Sequence, residues 1–168
     1  TSAAEQGWAD AQQALGIMLF NGDGVARNEQ EGLRWLYSAA QQGQPLAIGA
    51  YRQAAEQGYP PAQYALGQLH AQGKGVPKDD QVALGWYRKA AEQDYPRAQL
   101  NLGLMYVRGQ SVQPDIVQAY KWFHLAALSG DKLAERNCNH AEKKMTKRQI
   151  EQAIELASQW QPKLAKKM

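Results

Sequence analysis

The sequence predicts an all-α protein, a solenoid of helical hairpins, and three observations lead there. The tetrad Ala-Ala-Glu-Gln or a near copy recurs at Ala3, Ala39, Ala54, Ala90 and Ala126, with spacings of 36, 15, 36 and 36 residues. Self-similarity at such a period marks stacked supersecondary units, none of which can bury its apolar face alone. Glycine-bearing turns recur at one place in each full unit, at Gly22-Asp23-Gly24-Val25, Gly73-Lys74-Gly75-Val76 and Gly109-Gln110-Ser111-Val112. Alanine, glutamine and leucine dominate and β-branched residues are few, which favours helices with regularly placed breaks. Hydrophobic residues make up 44% of the chain and charged residues 21%, enough apolar surface for a continuous core once neighbouring units stack.

Each full unit reads as two helices. The first carries Ala11-Gln12-Gln13-Ala14-Leu15-Gly16 or its counterparts Ala62 to Gly67 and Ala98 to Gly103. In the first unit it runs from near Ala11 to Asn21, and the paired glycines end it by taking positive-φ conformations. The second begins at Asn28, Asp79 or Asp115, whose side chains can accept from the open N–H groups of a first turn, and Glu31 and Gln118 stand at capping-box spacing. Its apolar stripe contains Trp35, Trp86 and Trp122, one per unit at the same register. These are assigned to the core, next to paired alanines that let helices approach closely. Thr1 to Gly7 read as the end of a repeat, which points to a processed or cut chain, so the lack of a secretory signal says little about export.

The fifteen-residue unit breaks the pattern. Gly43 to Ala47 aligns with Gly58 to Ala62, while Ile48 to Ala55 aligns with Leu84 to Ala91, so the counterparts of residues 63 to 83 are skipped. In a regular array the chain must travel back along one helix, about 20 Å, before the next second helix begins. A five-residue link reaches at most about 18 Å. Three readings stand: the helix around Ile48 to Gln57 occupies a first-helix slot antiparallel to its usual direction, an arm is exchanged between two molecules, or a segment is absent. The last is favoured, because the gap makes up a full repeat to the residue.

After the repeats, Thr146 with Gln149 makes a capping-box start, and Ile150, Ala153, Ile154, Ala157 and Trp160 form one helical stripe. This is expected to be a capping helix that seals the last repeat's apolar face. The expected organisation is therefore repeats over residues 1–130 and C-terminal capping helices over 131–168. Full units lie near 8–43, 59–94 and 95–130, with a truncated unit at 44–58.

The pattern Ala-Gln-x-x-Leu-Gly-x-Met-Tyr-x-x-Gly-x-Gly-Val, a capping Asp, and Trp-Tyr-x-x-Ala-Ala-Glu-Gln-Gly resembles the Sel-one-like repeat, a relative of the tetratricopeptide repeat. Residues 86–93 and 98–107 follow it closely, and the resemblance covers roughly residues 3–130. Ser111 replaces the second turn glycine, His70 and Leu19 a usual tyrosine, and Ala50 the tryptophan. The resemblance implies a right-handed α/α superhelix in a bacterial adaptor that binds partner proteins. It also implies that first helices line a concave groove faced by Gln13, Ile17, Phe20 and Asn21, then Tyr64, Gln68, Ala71 and Gln72, then Leu100, Leu104, Val107 and Arg108. Exposed apolar groups ending in a charge suit a peptide or helix from a partner. A competing reading has the terminal helix simply covering Leu100, Leu104 and Val107.

Signals of chemistry are thin. Net charge is +3, with residues 131–168 contributing nine Lys or Arg against five acids, and interleaved acids without a stacking series speak for a solvated face and against nucleic acid. Cys138 is the only cysteine, so no intrachain disulfide and no thiolate cluster is possible. His70, His124 and His140 lack metal-ligand spacing, and His70 takes the register of a core tyrosine. Ser129-Gly130-Asp131-Lys132 spells the Ser-x-x-Lys of penicillin-reactive enzymes, and some cysteine-rich relatives in the resembled family are linked to β-lactams. Here Ser129 closes a helix instead of opening one, and Ser-Asp-Asn and Lys-Thr-Gly are absent. No cofactor, no metal and no catalytic residue is expected, and no stretch is apolar enough to insert in a membrane. Self-association through the truncated unit and the compartment, bacterial periplasm or cytoplasm, stay open.

Overall fold

A computed structural model describes the backbone of residues 3–162 and the side chains of residues 8–162. Among the described residues it contains nine helices and no strand: α1 (Ala3–Asn21), α2 (Glu29–Gln41), α3 (Pro45–Glu56), α4 (Pro60–Gln72), α5 (Asp80–Ala91), α6 (Pro96–Arg108), α7 (Ile116–Leu128), α8 (Lys132–Glu142) and α9 (Lys147–Ser158). They fall into two compact units, one ending at Asp79 and one beginning at Asp80.

In the first unit α1 runs unbroken through Gly7, so Ala3 to Gly7 do not end a separate helix as expected. The reason lies in the residues that start the other first helices. Pro60 and Pro96 occupy the first turns of α4 and α6, where a missing N–H costs nothing. The corresponding residue in α1 is Ala9, which keeps its N–H for the helical ladder. Just before those prolines the chain bends left-handedly at Gly58 (φ 91°) and Asp94 (φ 61°).

Each hairpin is closed by a bond from the capping residue of the second helix back to the first helix. The N–H of Asn28 donates to Leu19 O at 2.8 Å, that of Asp79 to His70 O at 3.0 Å and that of Asp115 to Tyr106 O at 3.1 Å. This pre-empts the expected capping box: with the cap N–H already taken, the Glu31 carboxylate accepts from Asn28 Nδ2 at 3.1 Å instead. Asn28 Oδ1 accepts from Glu31 N, and Asp115 Oδ1 from Val117 N and Gln118 N, as the cap positions require. Ser111, standing where a turn glycine is usual, takes φ 62°, a conformation that costs an L-residue about 1–2 kcal/mol.

The tryptophan stripe is not the centre of the packing. Trp35 and Trp86 are half-buried, Trp35 against the edge of Trp8 and Trp86 under Lys89 Nζ at 4.2 Å; only Trp122 is fully buried. The residue after each is buried more consistently: Leu36 (0% exposed), Tyr87 (5%) and Phe123 (1%). Leu36 and Phe123 sit on glycines of the first helix. A Cβ on Gly16 would lie 2.7 Å from Leu36 Cγ, and one on Gly103 would lie 2.5 Å from Phe123 Cε1. The Leu-Gly of the motif is thus the seat for the second helix, which a register argument based on aromatic size did not reveal.

The repeated Ala-Gln has an equally physical role. Gln63 Nε2 donates to Ala55 O at 3.0 Å, and Gln99 Nε2 to Ala91 O at 3.4 Å and Asp94 Oδ1 at 2.9 Å. Gln12 Oε1 accepts from Gln42 Nε2 at 2.9 Å. All three glutamines are buried, so each carries polar atoms into the core to tie a first helix to the end of a second helix.

In the short unit, Ala47 and Ile48 are consecutive residues of the single helix α3, which packs against α1, α2 and α4. Its beginning carries the proline of a first helix, and its end carries the Ala-Ala-Glu-Gln turn of a second. Tyr51 OH donates to Leu33 O and Ala47 N–H donates to Gln13 Oε1 at 3.1 Å, while Ala47, Ala54 and Ala55 are buried.

In the second unit α8 and α9 pack directly on α7. Ala119, Tyr120, Phe123, Ala134, Cys138, Ala141 and Ala153 form one apolar cluster. Thr146 and Gln149 complete the expected capping box of α9. Of its expected stripe Ala153 and Ala157 are buried, but Ile154 is 41% exposed; at about 100° per residue it falls at the margin of the face set by Ile150, Ala153 and Ala157. Lys163, Lys166 and Lys167 of the basic tail lie outside the described residues. No helix among the described residues is long and apolar enough to cross a membrane.

Candidate protein-interaction surface

α3 and α1 leave space between them. The result is a cleft of about 660 Å3, within the ~300–1,000 Å3 usual for ligand sites. From α1 come Ile17, Phe20 and Asn21, and from α2 and its preceding turn Leu36 and Arg27; α3 supplies Pro45, Leu46, Gly49, Ala50, Gln53 and Gln57. Ile17 and Phe20 are half-buried, while Leu46 is 64% exposed at the rim. Ala50 stands at the register that holds Trp35, Trp86 and Trp122 in the full units. Among the described residues Arg27 is the only charged residue in the lining; its Nη2 meets the partly buried Glu29 Oε1 at 2.5 Å.

The other expected groove residues divide. Gln13 is half-buried, and its carboxamide oxygen is already used by the N-terminus of α3. Tyr64 is half-buried, Gln68 is half-buried and accepts from Tyr37 OH at 3.4 Å, and Gln72 is exposed. Leu100 is only 8% exposed, because it belongs to the cluster of Tyr120, Phe123 and Cys138. It is core, not groove. Leu104 packs on the same cluster, whereas Val107 (45% exposed) and Arg108 remain open at the end of α6. Leu100 and Leu104 are covered by α7, through Tyr120 and Phe123, and not by the terminal helix as the competing reading had it. The sequence signal that could have identified the α1–α3 cleft was the Ala50 departure taken together with the fifteen-residue spacing.

Groups capable of chemistry are built into the scaffold. No cluster of metal-binding side chains occurs among the described residues. His70 Nδ1 lies 3.2 Å from Pro77 O, and His124 stacks on Tyr120 at 6.0 Å between ring centroids. Burial, reinforced by Glu142 and Glu135, pushes the Cys138 thiol up to about 11, so it carries little thiolate at neutral pH. Burial and a 2.6 Å bond to Glu142 Oε1 raise the Tyr120 hydroxyl. Lys121 Nζ sits 4.6 Å from the rings of both Trp122 and Trp160, and burial there lowers its pKa against the pull of Glu92. Ser129 is the C-cap of α7 and Lys132 opens α8, both exposed, with Gly130 at φ 84° between them. The serine therefore closes a helix, as the spacing suggested, and Asp131 is engaged in capping α8 through Leu133 N and Ala134 N.

Comparison with known proteins agrees with this geometry. A family model for the Sel1 repeat matches residues 9–44, 51–59, 60–95 and 96–131. The crystal structure of a protective antigen present in uropathogenic Escherichia coli strains, displaying an SLR fold, is 36% identical over 97% of this chain, with a TM-score of 0.69. This chain spans 40% of the length of that antigen. A Sel1 repeat protein from Oxalobacter formigenes is also 36% identical, over 82% of this chain and 92% of its own, with a TM-score of 0.52. No curated protein matches. The nine-residue match at 51–59 covers only the end of α3 and the turn after it, as expected for a helix whose start has the character of a first helix. With four matched segments and hairpins closed alike in each full unit, the chain belongs to the Sel1 repeat family.

Proposed function

We propose that this protein is a non-catalytic scaffold that binds a partner protein or peptide along the faces of its first-type helices. Sel1 repeats typically mediate protein–protein interaction, which is the starting point. The observation that carries the reading is the α1–α3 cleft, an apolar floor of Ile17 and Phe20 with amide side chains and one arginine around it. Apolar anchoring with a polar rim is the arrangement that binds peptides by a few central side chains. Tyr64, Gln68 and Gln72 on α4, and Val107 and Arg108 on α6, extend the proposed contact set. Leu100, Leu104 and Gln13 serve it indirectly, by fixing the helices that present the others. The non-catalytic reading is supported by what has become of the reactive side chains: Cys138 is buried, and Ser129 and Lys132 flank a turn whose aspartate is occupied as a cap.

The test is affinity capture from extracts of the source organism, with wild type beside two surface variants, Leu46→Asp and the double variant Val107→Asp with Arg108→Glu. All three positions are exposed, so the fold is expected to survive, as circular dichroism would verify. A partner enriched by wild type should fall about fivefold or more with at least one variant, the loss expected when a central contact worth more than 1 kcal/mol is removed. Undiminished capture by both variants would refute binding through these faces.

A further inference from the structure

The cleft between α1 and α3 carries more than a general capacity to bind. Building on the scaffold reading above, we infer that it is an anchor pocket for one aromatic side chain of a partner peptide, followed by a carboxylate residue that pairs with Arg27.

Three observations converge. At the register of Ala50 every full unit of this chain places an indole, at Trp35, Trp86 and Trp122. In α3 that indole is replaced by a methyl group, and the neighbouring Gly49 has open space where its Cβ would be. The cleft that Ala50 lines is bounded by Ile17, Phe20 and Leu46, an apolar wall of the kind against which an aromatic ring buries about 150–250 Å2. Charge supplies the second half. Among the described residues Arg27 is the only ionised side chain lining the cleft; it is exposed and pairs with the partly buried Glu29, which also hydrogen-bonds with Tyr59. The guanidinium has five N–H donors, so a peptide carboxylate held beside the exposed Arg27 by an anchored ring shares it with Glu29 and need not displace it from Tyr59. Asn21, Gln53 and Gln57 offer both donors and acceptors for the backbone of an extended peptide.

The pocket lies beside this chain's short unit, whose α3 carries alanine where the full units carry tryptophan. A peptide helix presenting a leucine seam would need a longer apolar trough than the Ile17–Phe20–Leu46 wall provides.

The experiment uses the full chain, isotope-labelled for amide NMR, titrated with three blocked dipeptides: acetyl-Trp-Glu-amide, acetyl-Trp-Lys-amide and acetyl-Ala-Glu-amide. The Trp-Glu peptide should shift the amides of Gly49, Ala50 and Gln53 saturably. Trp-Lys should bind the same amides about two- to fivefold more weakly, the range of an exposed ion pair. Ala-Glu should leave them unmoved. Ala50→Trp, which restores the register residue, should abolish the shifts while the amides of α6 to α9 keep their positions, and Arg27→Gln should erase the preference for Glu over Lys. Equal effects of Ala-Glu and Trp-Glu, or full binding by Ala50→Trp, would overturn the inference. Shifts confined to Val107 and Arg108 would overturn it while leaving the scaffold reading standing. Peptide-independent shifts of the cleft amides on dilution would assign the pocket to a second copy of the chain and likewise overturn it. If partner capture also proved indifferent to Leu46→Asp and Val107→Asp with Arg108→Glu, the scaffold reading itself would fall.

Discussion

Replacing Gly32 by alanine tests the packing logic where the helices come closest. Gly16 and Gly32 face each other across α1 and α2: a Cβ on Gly32 would lie 2.6 Å from Phe20 N and 2.9 Å from Gly16 O. These are backbone atoms, so no side-chain rotation can relieve the clash and the two helices must separate. Overpacking of a tight core costs about 1–3 kcal/mol. Against it stands the gain from removing a glycine from a helix interior, about 0.5–1 kcal/mol. The clash should win, for a net loss of about 1–2 kcal/mol, or a lowering of the melting temperature by about 4–8 °C per kcal/mol for a unit of this size. Gly49→Ala is the internal control. It lies within α3 with nothing inside 4 Å of its Cβ position, so only the helical gain remains and the protein should melt higher. Far-ultraviolet circular dichroism melts of both variants give the answer. If Gly32→Ala melted at or above wild type, or if the two substitutions moved the midpoint in the same direction, the close approach of α1 and α2 would be refuted.

Gln63→Ala removes the buried donor to Ala55 O and should cost about 0.5–1.5 kcal/mol in urea denaturation; an unchanged midpoint would mean that this glutamine is not a tie between α3 and α4. Ser111→Gly relieves the left-handed strain at φ 62° and should raise stability by a few tenths to about 1 kcal/mol, net of glycine's greater chain entropy. A fall would show that the serine side chain holds the turn. Cys138 should resist a thiol reagent at pH 8 in the native protein, reacting no faster than the chain opens, and rapid labelling of the folded form would contradict its burial. Its folded value of about 11 stands above the ordinary 9.0, so the unfolded chain gives up its proton first. The stability contributed by the buried neutral thiol is therefore whole below about pH 9 and is lost as pH rises toward 11. Cys138→Ala should flatten that alkaline decline, as pH-dependent urea midpoints would reveal.

Much of the architecture was legible because the repeat is written in residue types whose physics is local. Prolines, left-handed glycines and capping Asn or Asp fix where α2, α4, α6 and α7 begin or end without help from the rest of the molecule. What sequence could not supply was direction. The tryptophan at each second-helix register is large and recurrent, yet the residue after it is the one aimed into the glycine seat of the first helix, a difference of about 100° around the axis. Leu100 reads as groove by register and is core because Tyr120 and Phe123 lie over it. The short unit was opaque for another reason. Its two halves align with different helices, so alignment assigns it to neither, while in the structure Pro45 to Glu56 form one helix with no interrupting residue after the proline. The departure of Ala50 from the repeat read as a matter of local packing, and the residue lies in the lining of the cleft.

The central claim is that a partner protein seats against the α1–α3 face. A photo-reactive residue placed at position 46, on the exposed rim, and activated in living cells reports on that most directly. One dominant protein crosslink is expected at this position, strongly reduced by Ala50→Trp in the same chain. A rim that crosslinks to no protein, or one whose crosslink is indifferent to filling the cleft, would contradict the claim.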